Sequence, residues 1–340
     1  MRTGGIDVIR LDAIPYIWKE LGTDCRNLPQ VHTLARMARM VTEIVCPGVL
    51  LLGEVVMESA KVAPYFGARL KPECHMLYNV TTMATTWHTL ATGDASPLKR
   101  QMETVCGLPK DFLFLNYLRC HDDIGWGLDY PWLGQRFGLN EVAHKKYLND
   151  YFTGKWPGSL SRGELYNDAP RLGDARLCGT TASLCGLEAA EGDPALLDRA
   201  VACDLTLRAW MLSQSGVPVI YSGDEVGQFN DWSYRQDPDK REDSRYLHRG
   251  DFLWDLAKRR KDPDTYQGKL FRGLRRLGEI RAGEPCFDAQ AEVWVEESGS
   301  PQVLTLCRRQ GDRELVYGTH WNGLRNVELW PNSFAWLPRE

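Results

Sequence analysis

The stretch Gly5–Ala13 (GIDVIRLDA) decides the fold, because a short β-branched run ends in the acid Asp12 and the same pattern then returns twice. Glu54 closes the run VLLLGE, and Asp122 closes the run FLFLNYLRCHD. A carboxylate that ends a buried strand lies where the strand gives way to a loop, and in parallel barrels the catalytic groups collect at that rim. The repeated pattern therefore predicts a parallel α/β fold with acidic groups gathered at one end.

The neighbours of these acids favour a catalytic role over the simpler alternative, which is a helix N-cap or a loop residue. Arg10 precedes Asp12 by two positions, so on a strand both side chains point to the same side. A positive charge there favours the ionised form of Asp12. Glu54 follows a run without polar side chains, and such surroundings favour the protonated form that an acid catalyst needs. Two carboxylates that flank one bond can cleave a glycoside, and a third can stabilise the transition state.

At these residues the chain resembles the α-amylase family of glycoside hydrolases (glycoside hydrolase family 13), whose conserved regions follow barrel strands 4, 5 and 7. Finer matches resemble the amylosucrase branch of that family. These are Asp12–Lys19 (DAIPYIWK), Asn27–Gln30 (NLPQ), Arg119–Trp126 (RCHDDIGW), Gly179–Ser183 (GTTAS) and Asp243–Arg245 (DSR).

The resemblance implies a partial (β/α)8 TIM barrel, consisting of strands 4–8 with their helices, followed by a small C-terminal antiparallel β-sandwich. We assign residues 1–285 to the barrel, 123–176 to a subdomain inserted after strand 7, and 286–340 to an abbreviated β domain. The pattern predicts barrel strands near 6–11, 49–52, 76–78, 112–118 and 217–221. It predicts helices near 29–45, 82–92, 97–105, 141–152, 196–213 and 266–281.

The first three strands of the family's barrel find no counterpart in the sequence, although a closed barrel needs eight. We therefore expect the chain to be the C-terminal portion of a longer enzyme, from a split gene or a partial gene. Open sheet edges are association hazards. We expect association through those edges or with a missing N-terminal half.

The resemblance also implies retaining α-glucosyl transfer, with Asp12 as nucleophile, Glu54 as acid/base and Asp122 as stabiliser of the charged sugar. The substrate-binding residues that it implies are Arg10, His121, Asp123 and Arg245. The implied donor is sucrose, the acceptor is an α-glucan, an oligosaccharide or water, and neither step needs a metal or another cofactor. Sucrose hydrolysis, α-glucosidase action, and an inactive relic or carbohydrate-binding remnant remain alternatives.

The amino-acid composition limits the classes of protein to which the chain can belong. The chain has 340 residues and a net charge of −4, which argues against nucleic-acid binding. No apolar run approaches membrane-spanning length, and the first residues carry no apolar signal core. The ten cysteines show no C-x-x-C spacing, so a zinc site is not expected. Free thiols fit a reducing compartment, and we predict a cytoplasmic protein.

Overall fold

The computed structural model describes residues 5–57, 59–169, 171, 173–321 and 333–339. In chain order the strands are β1 (Val8–Leu11), β2 (Leu50–Gly53), β3 (Gly67–Ala68), β4 (Lys71–Pro72), β5 (Met76–Tyr78), β6 (Leu113–Asn116), β7 (Glu164–Tyr166), β8 (Arg176–Cys178), β9 (Val217–Pro218), β10 (Glu292–Glu296), β11 (Val303–Gln310), β12 (Arg313–His320) and β13 (Ser333–Arg339). The α-helices are α1 (Pro29–Val45), α2 (Ser59–Val62), α3 (Val80–Thr92), α4 (Ser96–Cys106), α5 (Tyr130–Phe137), α6 (Glu141–Phe152), α7 (Thr181–Leu184), α8 (Pro194–Ser213), α9 (Trp254–Lys258) and α10 (Tyr266–Gly283).

The centre of the chain is a five-stranded sheet in the order β1-β2-β5-β6-β9. Every neighbouring pair in this sheet is parallel. The five strands predicted from the sequence are thereby confirmed, although β1, β6 and β9 are shorter than the predicted runs. Within the described part of the chain, β1 and β9 are the two edges of the sheet.

The predicted helices are also confirmed, and α1 and α6 begin and end where the sequence pattern places them. Residues 123–176, which we call the insertion, contain one helix more than we predicted, because α5 is short and carries an internal glycine. Its end signals are nevertheless present in the sequence. Asp129 caps the first turn by accepting from the amide of Trp132, and Gly138 ends the helix in the left-handed conformation. Strands β7 and β8 pair antiparallel in the same segment.

The C-terminal strands β10 to β13 form one antiparallel sheet, which differs from the predicted β-sandwich. Among the described residues, helix α8 forms the second layer against this sheet. Tyr317 of the sheet faces Trp210 of α8, with ring centroids 6.0 Å apart. Tyr317 and Trp321 are buried against this helical layer. The strand predicted near 327–329 lies outside the described residues, and the division at 285/286 stays a prediction.

Two arginines connect the end of α8 to the C-terminal part of the chain. Arg308 of β11 donates to the carbonyl of Ser213 at 3.1 Å, and Arg281 of α10 donates to that of Gly216 at 2.9 Å. Both guanidinium groups lie 5.0 Å from the ring centroid of Phe287, one from α10 and one from β11. The last carbonyls of a helix lack intrahelical partners. The contact of Arg308 with Ser213, and a further contact of Arg281 with the Leu212 carbonyl, therefore stabilise the end of α8, whereas Gly216 lies beyond it.

One face of α1 is apolar and exposed. Its exposed side chains are Met37, Met40, Val41 and Ile44, at 55%, 59%, 58% and 78% of full exposure. Their spacing places them on one stripe of the helix. An exposed apolar patch of this kind marks a surface that binds another polypeptide or associates. Among the described residues, no helix has the length and apolar character that crossing a membrane requires.

Candidate active site

The register of β1 and β2 brings the first two predicted acids together. Leu11 is paired with Gly53 in the parallel ladder, so Asp12 and Glu54 leave neighbouring strands at the same level. Arg10 contacts Asp12 through Nη1, and its Nη2 lies 3.0 Å from Oε2 of Glu54. The same Nη2 lies 3.9 Å from Oδ2 of Asp122. One guanidinium group therefore bridges the three predicted carboxylates.

Glu54 has a second polar partner, because the amide of Ala13 donates to Oε2 at 2.9 Å. Ala13 adopts the left-handed conformation, with φ at 44°. The apolar surroundings expected for Glu54 are thus corrected by the structure: its half-buried carboxylate is paired with Arg10 and with a backbone amide. The reason is that β1 and β2 end together, so the arginine of one strand reaches the acid of the other.

The residue before Glu54 must be glycine for β2 to approach its neighbour. A Cβ atom at Gly53 would lie 2.7 Å from Sγ of Cys74 and 2.9 Å from Cδ2 of Leu77. Both distances are shorter than normal van der Waals contact. The small residue therefore helps to fix where Glu54 leaves the sheet.

Asp122 is held by side chains from its own loop and from the segment after β9. His121 Nε2 lies 3.1 Å from Oδ2 of Asp122, and Arg245 Nη1 lies 3.4 Å from Oδ1. Arg249 Nη2 approaches the same Oδ1 to 3.0 Å. The sequence analysis missed Arg249. The available signal was its spacing four residues after Arg245 in the basic run REDSRYLHRG.

The insertion supplies the opposite wall of the site. Arg245 lies 4.6 Å from the ring centroid of Tyr166, which belongs to β7. It also pairs with Asp243 at 2.8 Å, and this hydrogen bond lowers the pKa of Asp243. Asp123 lies 3.7 Å from Arg176 of β8, while burial raises the pKa of Asp123 above its usual value.

These groups surround a cavity of about 580 Å³, within the size range of small-molecule sites. Six of the seven predicted site residues line it, namely Asp12, Glu54, His121, Asp122, Asp123 and Arg245. Arg10 lies behind them, 5.7 Å from the ring centroid of Tyr78. Further lining residues are Tyr16, Arg26, Tyr166, Asn167, Arg176 and Arg249.

The chain is similar in sequence or in fold to several known proteins. No protein-family model matches the chain. A glucosylglycerate phosphorylase from Allomeiothermus silvanus is 27% identical over 314 residues, which are 91% of this chain and 52% of that protein. The crystal structure of sucrose 6F-phosphate phosphorylase from Thermoanaerobacter thermosaccharolyticum matches 98% of this chain and 58% of its own, with a TM-score of 0.68 and 18% identity. An α-amylase from H. orenii matches 93% of this chain and 51% of its own, with a TM-score of 0.55 and 16% identity. The chain spans about half the length of the curated relatives that it matches.

The parallel sheet with carboxylates at its strand ends therefore shares its fold with sucrose 6F-phosphate phosphorylase and with the α-amylase. These similarities agree with the resemblance to the α-amylase family of glycoside hydrolases, glycoside hydrolase family 13, that the sequence motifs indicate. By sequence it is similar over 91% of its length to proteins named glucosylglycerate phosphorylase.

Proposed function

We propose that this chain carries the reacting carboxylates of an enzyme that transfers a glucosyl group from sucrose, with retention, to an α-glucan or to water. The proposal rests on one observation above all, which is that Arg10 bridges Asp12, Glu54 and Asp122. Retaining enzymes need their two reacting carboxyl groups only about 5–5.5 Å apart, so that one can attack directly. Two carboxylates that contact the same guanidinium group lie on one side of the sheet at neighbouring strand ends, and this arrangement supports the retaining assignment.

In the proposed reaction Asp12 attacks the anomeric carbon while Glu54 protonates the glycosidic oxygen, which leaves with fructose. The product of this step is a glucosyl ester of Asp12. Glu54, now ionised, takes the proton of the incoming acceptor hydroxyl, and the acceptor displaces Asp12 from the anomeric carbon. Atoms and charges balance over the two steps without a metal.

Asp122 supports the positive charge that develops on the sugar ring between these steps. His121 and Arg245 contact its carboxylate and fix its direction. We propose that Asp123, paired with Arg176 at the wall formed by the insertion, binds a sugar hydroxyl there. The amylosucrase-like donor preference rests on the motif matches Arg119–Trp126 and Asp243–Arg245.

A second candidate is transfer to inorganic phosphate, which would make the enzyme a phosphorylase. The observation in its favour is the set of guanidinium groups on the cavity wall, Arg26, Arg176, Arg245 and Arg249. Arginine forks match phosphate oxygens well. Two of the similar proteins bear the name phosphorylase. Hydrolysis of sucrose and α-glucosidase action would use the same carboxylates.

The test is release of fructose from sucrose with water, glycogen or inorganic phosphate as acceptor, with glucose and glucose 1-phosphate measured alongside. We expect negligible turnover by residues 1–340 alone, and measurable turnover on co-expression with the N-terminal half of a related enzyme. Asp12→Asn should abolish that turnover, whereas Asp7→Asn, at an exposed position on the approach to the same strand, should not. Turnover that survives Asp12→Asn would overturn the assignment, and robust turnover by the monomeric chain would overturn the expectation that it needs a second half.

A further inference from the structure

We propose that His248 is a positioning residue whose neutral imidazole joins the segment directly after β8 to the loop that carries His121 and Asp122. The proposal rests on the proposed function, because it concerns the geometry of Asp122. His248 lies at the end of the short helix Ser244–His248 and is 4% exposed. It reaches two segments that are distant in sequence, one on each side of its ring.

The contacts of the ring determine its tautomer. The backbone amide of Gly179, which can only donate, lies 2.9 Å from Nδ1. The carbonyl of His121, which can only accept, lies 3.3 Å from Nε2. Both hydrogen bonds form only when Nδ1 is bare and Nε2 carries the proton, so the ring is neutral. A proton on Nδ1 would face the Gly179 N–H and break the first contact.

The surroundings keep the ring in that state. Burial, and after it the positive charge of Arg119, lowers the pKa of His248 to about 3. Arg119 Nη1 donates to the carbonyl of His248 at 3.2 Å, and Arg119 is itself paired with the buried Asp224 at 2.8 Å. Arg249 is the other cation beside the ring. The charged groups that face His248 therefore come from three segments. Arg119 precedes the loop of Asp122, Asp224 lies in the loop after β9, and Arg249 directly follows the helix that His248 ends.

Arg249 completes the connection on the side of the reacting groups. Its Nε donates to the His121 carbonyl at 2.5 Å, and its Nη2 lies 3.0 Å from Oδ1 of Asp122. The His121 carbonyl thus accepts from two neighbouring residues, one neutral and one charged. Gly179 directly follows β8, whose first residue, Arg176, ends the insertion. A shift of the insertion would therefore be transmitted through β8 and His248 to the backbone beside Asp122.

Three substitutions separate the two contacts of the ring. His248→Asn can replace the acceptor at Nδ1, His248→Gln can replace the donor at Nε2, and His248→Phe replaces neither. Amide hydrogen exchange and ¹⁵N-histidine NMR on the intact chain provide readouts that need no turnover. The control is His320→Phe in β12, on the C-terminal sheet.

We expect the bare-Nδ1 tautomer at pH 7 and at pH 5. His248→Phe should speed exchange at the Gly179 amide by about tenfold, because this amide loses its acceptor. It should speed exchange at residues 120–123 by less, because there only the restraint on the His121 carbonyl is lost. His248→Asn should protect Gly179 alone, and His248→Gln should protect residues 120–123 alone. In preparations that turn over sucrose, His248→Phe should lower kcat on the order of a hundredfold with little change in KM, and His248→Gln should restore part of kcat.

Protonation of His248 above pH 5, or exchange at residues 120–123 that stays at the wild-type rate in His248→Phe, would overturn the inference. A wild-type kcat in His248→Phe would overturn the inferred effect of His248 on catalysis, and it would leave the proposed glucosyl transfer intact. Absence of glucosyl transfer in every preparation would count against the proposed function instead. The exchange and NMR results decide whether His248 joins the two segments in either case.

Discussion

Nη2 of Arg10 lies 3.0 Å from Oε2 of Glu54, across the boundary between two strands of the parallel sheet. The contact exists because Leu11 and Gly53 are paired, so the acid after each strand emerges beside the other. Burial opposes the charge on Arg10, but the carboxylates of Glu54 and Asp12 outweigh it and raise the pKa of Arg10 above its ordinary value. The guanidinium group is therefore a fixed positive charge that holds the two reacting acids in place.

Replacement of Arg10 by lysine tests whether the rate depends on the positive charge of Arg10 or on the planar shape of its guanidinium group. An ammonium group keeps the charge, but it is a single point that cannot bridge two carboxylates as the planar fork does. A misplacement of about 1 Å can cost on the order of a hundredfold in rate, and we expect a loss of that size for Arg10→Lys. Fructose release by the assembled enzyme measures it, and Arg39→Lys on α1 is the control. Equal rates for the two variants would show that charge alone suffices.

Replacement of Gly53 by alanine should destabilise the sheet beside Glu54. The added Cβ would lie 2.7 Å from Cys74 Sγ, and overpacking of this kind costs about 1–3 kcal/mol. Gly48→Ala is the matched control, because no atom lies within 4 Å of the position of its added Cβ. Urea unfolding compares the free energies of unfolding of the two variants. Cys74→Ala in the Gly53→Ala background should recover part of the loss, and a Gly53→Ala variant as stable as Gly48→Ala would contradict the packing argument.

Much of the sheet and most of the site could be predicted from the sequence, because each of these features is local. Asp12 and Glu54 directly follow short apolar runs, and the end of a strand is visible in such a run. Helix α1 begins at Pro29, a residue favoured at the first turn, and its predicted bounds are those of the structure. Arg10 lies in β1 and Asp12 directly follows that strand, so the period of two along an extended chain predicts that both side chains lie on one side.

The rest depends on contacts between distant segments, which no local pattern encodes. Arg249 contacts Asp122 from 127 positions away, and only the folded chain determines that approach. The pairing of Glu54 with Arg10 depends on the register between two strands, which apolar runs do not specify. The same holds for the C-terminal sheet. Its alternating pattern predicts a buried face, but whether a second sheet or α8 covers that face is a tertiary choice.

Loss of Arg308 should weaken the attachment of the C-terminal sheet to the barrel. Arg308 is buried and donates to the Cys286 carbonyl at 2.7 Å and to Ser213 and Ser215 oxygens at 3.1 Å. Each buried acceptor left unsatisfied costs about 1–3 kcal/mol, so Arg308→Met should lower the free energy of unfolding by at least that amount. The adjacent Arg309 makes only exposed ion pairs, which contribute little to stability, and Arg309→Met is the control. Equal losses in urea unfolding would refute the role of Arg308.

Acid should destabilise the chain through His88. Neither ring nitrogen of His88 has a hydrogen-bond partner within the described residues, and its ring centroid lies 5.0 Å from that of His144. Burial, followed by the effect of His144, lowers the pKa of His88 from 6.5 to about 3. Between these values the unfolded chain binds the extra proton, so this contribution to stability is complete above pH 6.5 and falls as the pH drops toward 3.

The loss through His88 amounts to about 1.4 kcal/mol for each pH unit within that window. His88→Leu should flatten the dependence of the unfolding free energy on pH between 4 and 6 by about this slope. Leu90→Ala, at a buried position of the same helix, should lower stability equally at each pH and keep the wild-type slope. Parallel curves for wild type and His88→Leu would show that His88 stays unprotonated in both states or titrates alike in both.

The apolar stripe on α1 and the open edge at β1 should make the chain associate. Met40 and Ile44 are exposed at 59% and 78%, and Val8, on the edge strand β1, is exposed at 42%. We expect residues 1–340 to sediment as associated species, and the double substitution Met40→Lys/Ile44→Lys to shift them toward the monomer by placing charge on the apolar stripe. Glu103→Lys, at an exposed position on α4, changes the net charge by the same amount and is the control for charge repulsion. Sedimentation velocity across a range of concentrations distinguishes these outcomes. A wild-type chain that remains monomeric would show that the stripe is not an association surface, and an equal effect of Glu103→Lys would assign the change to net charge.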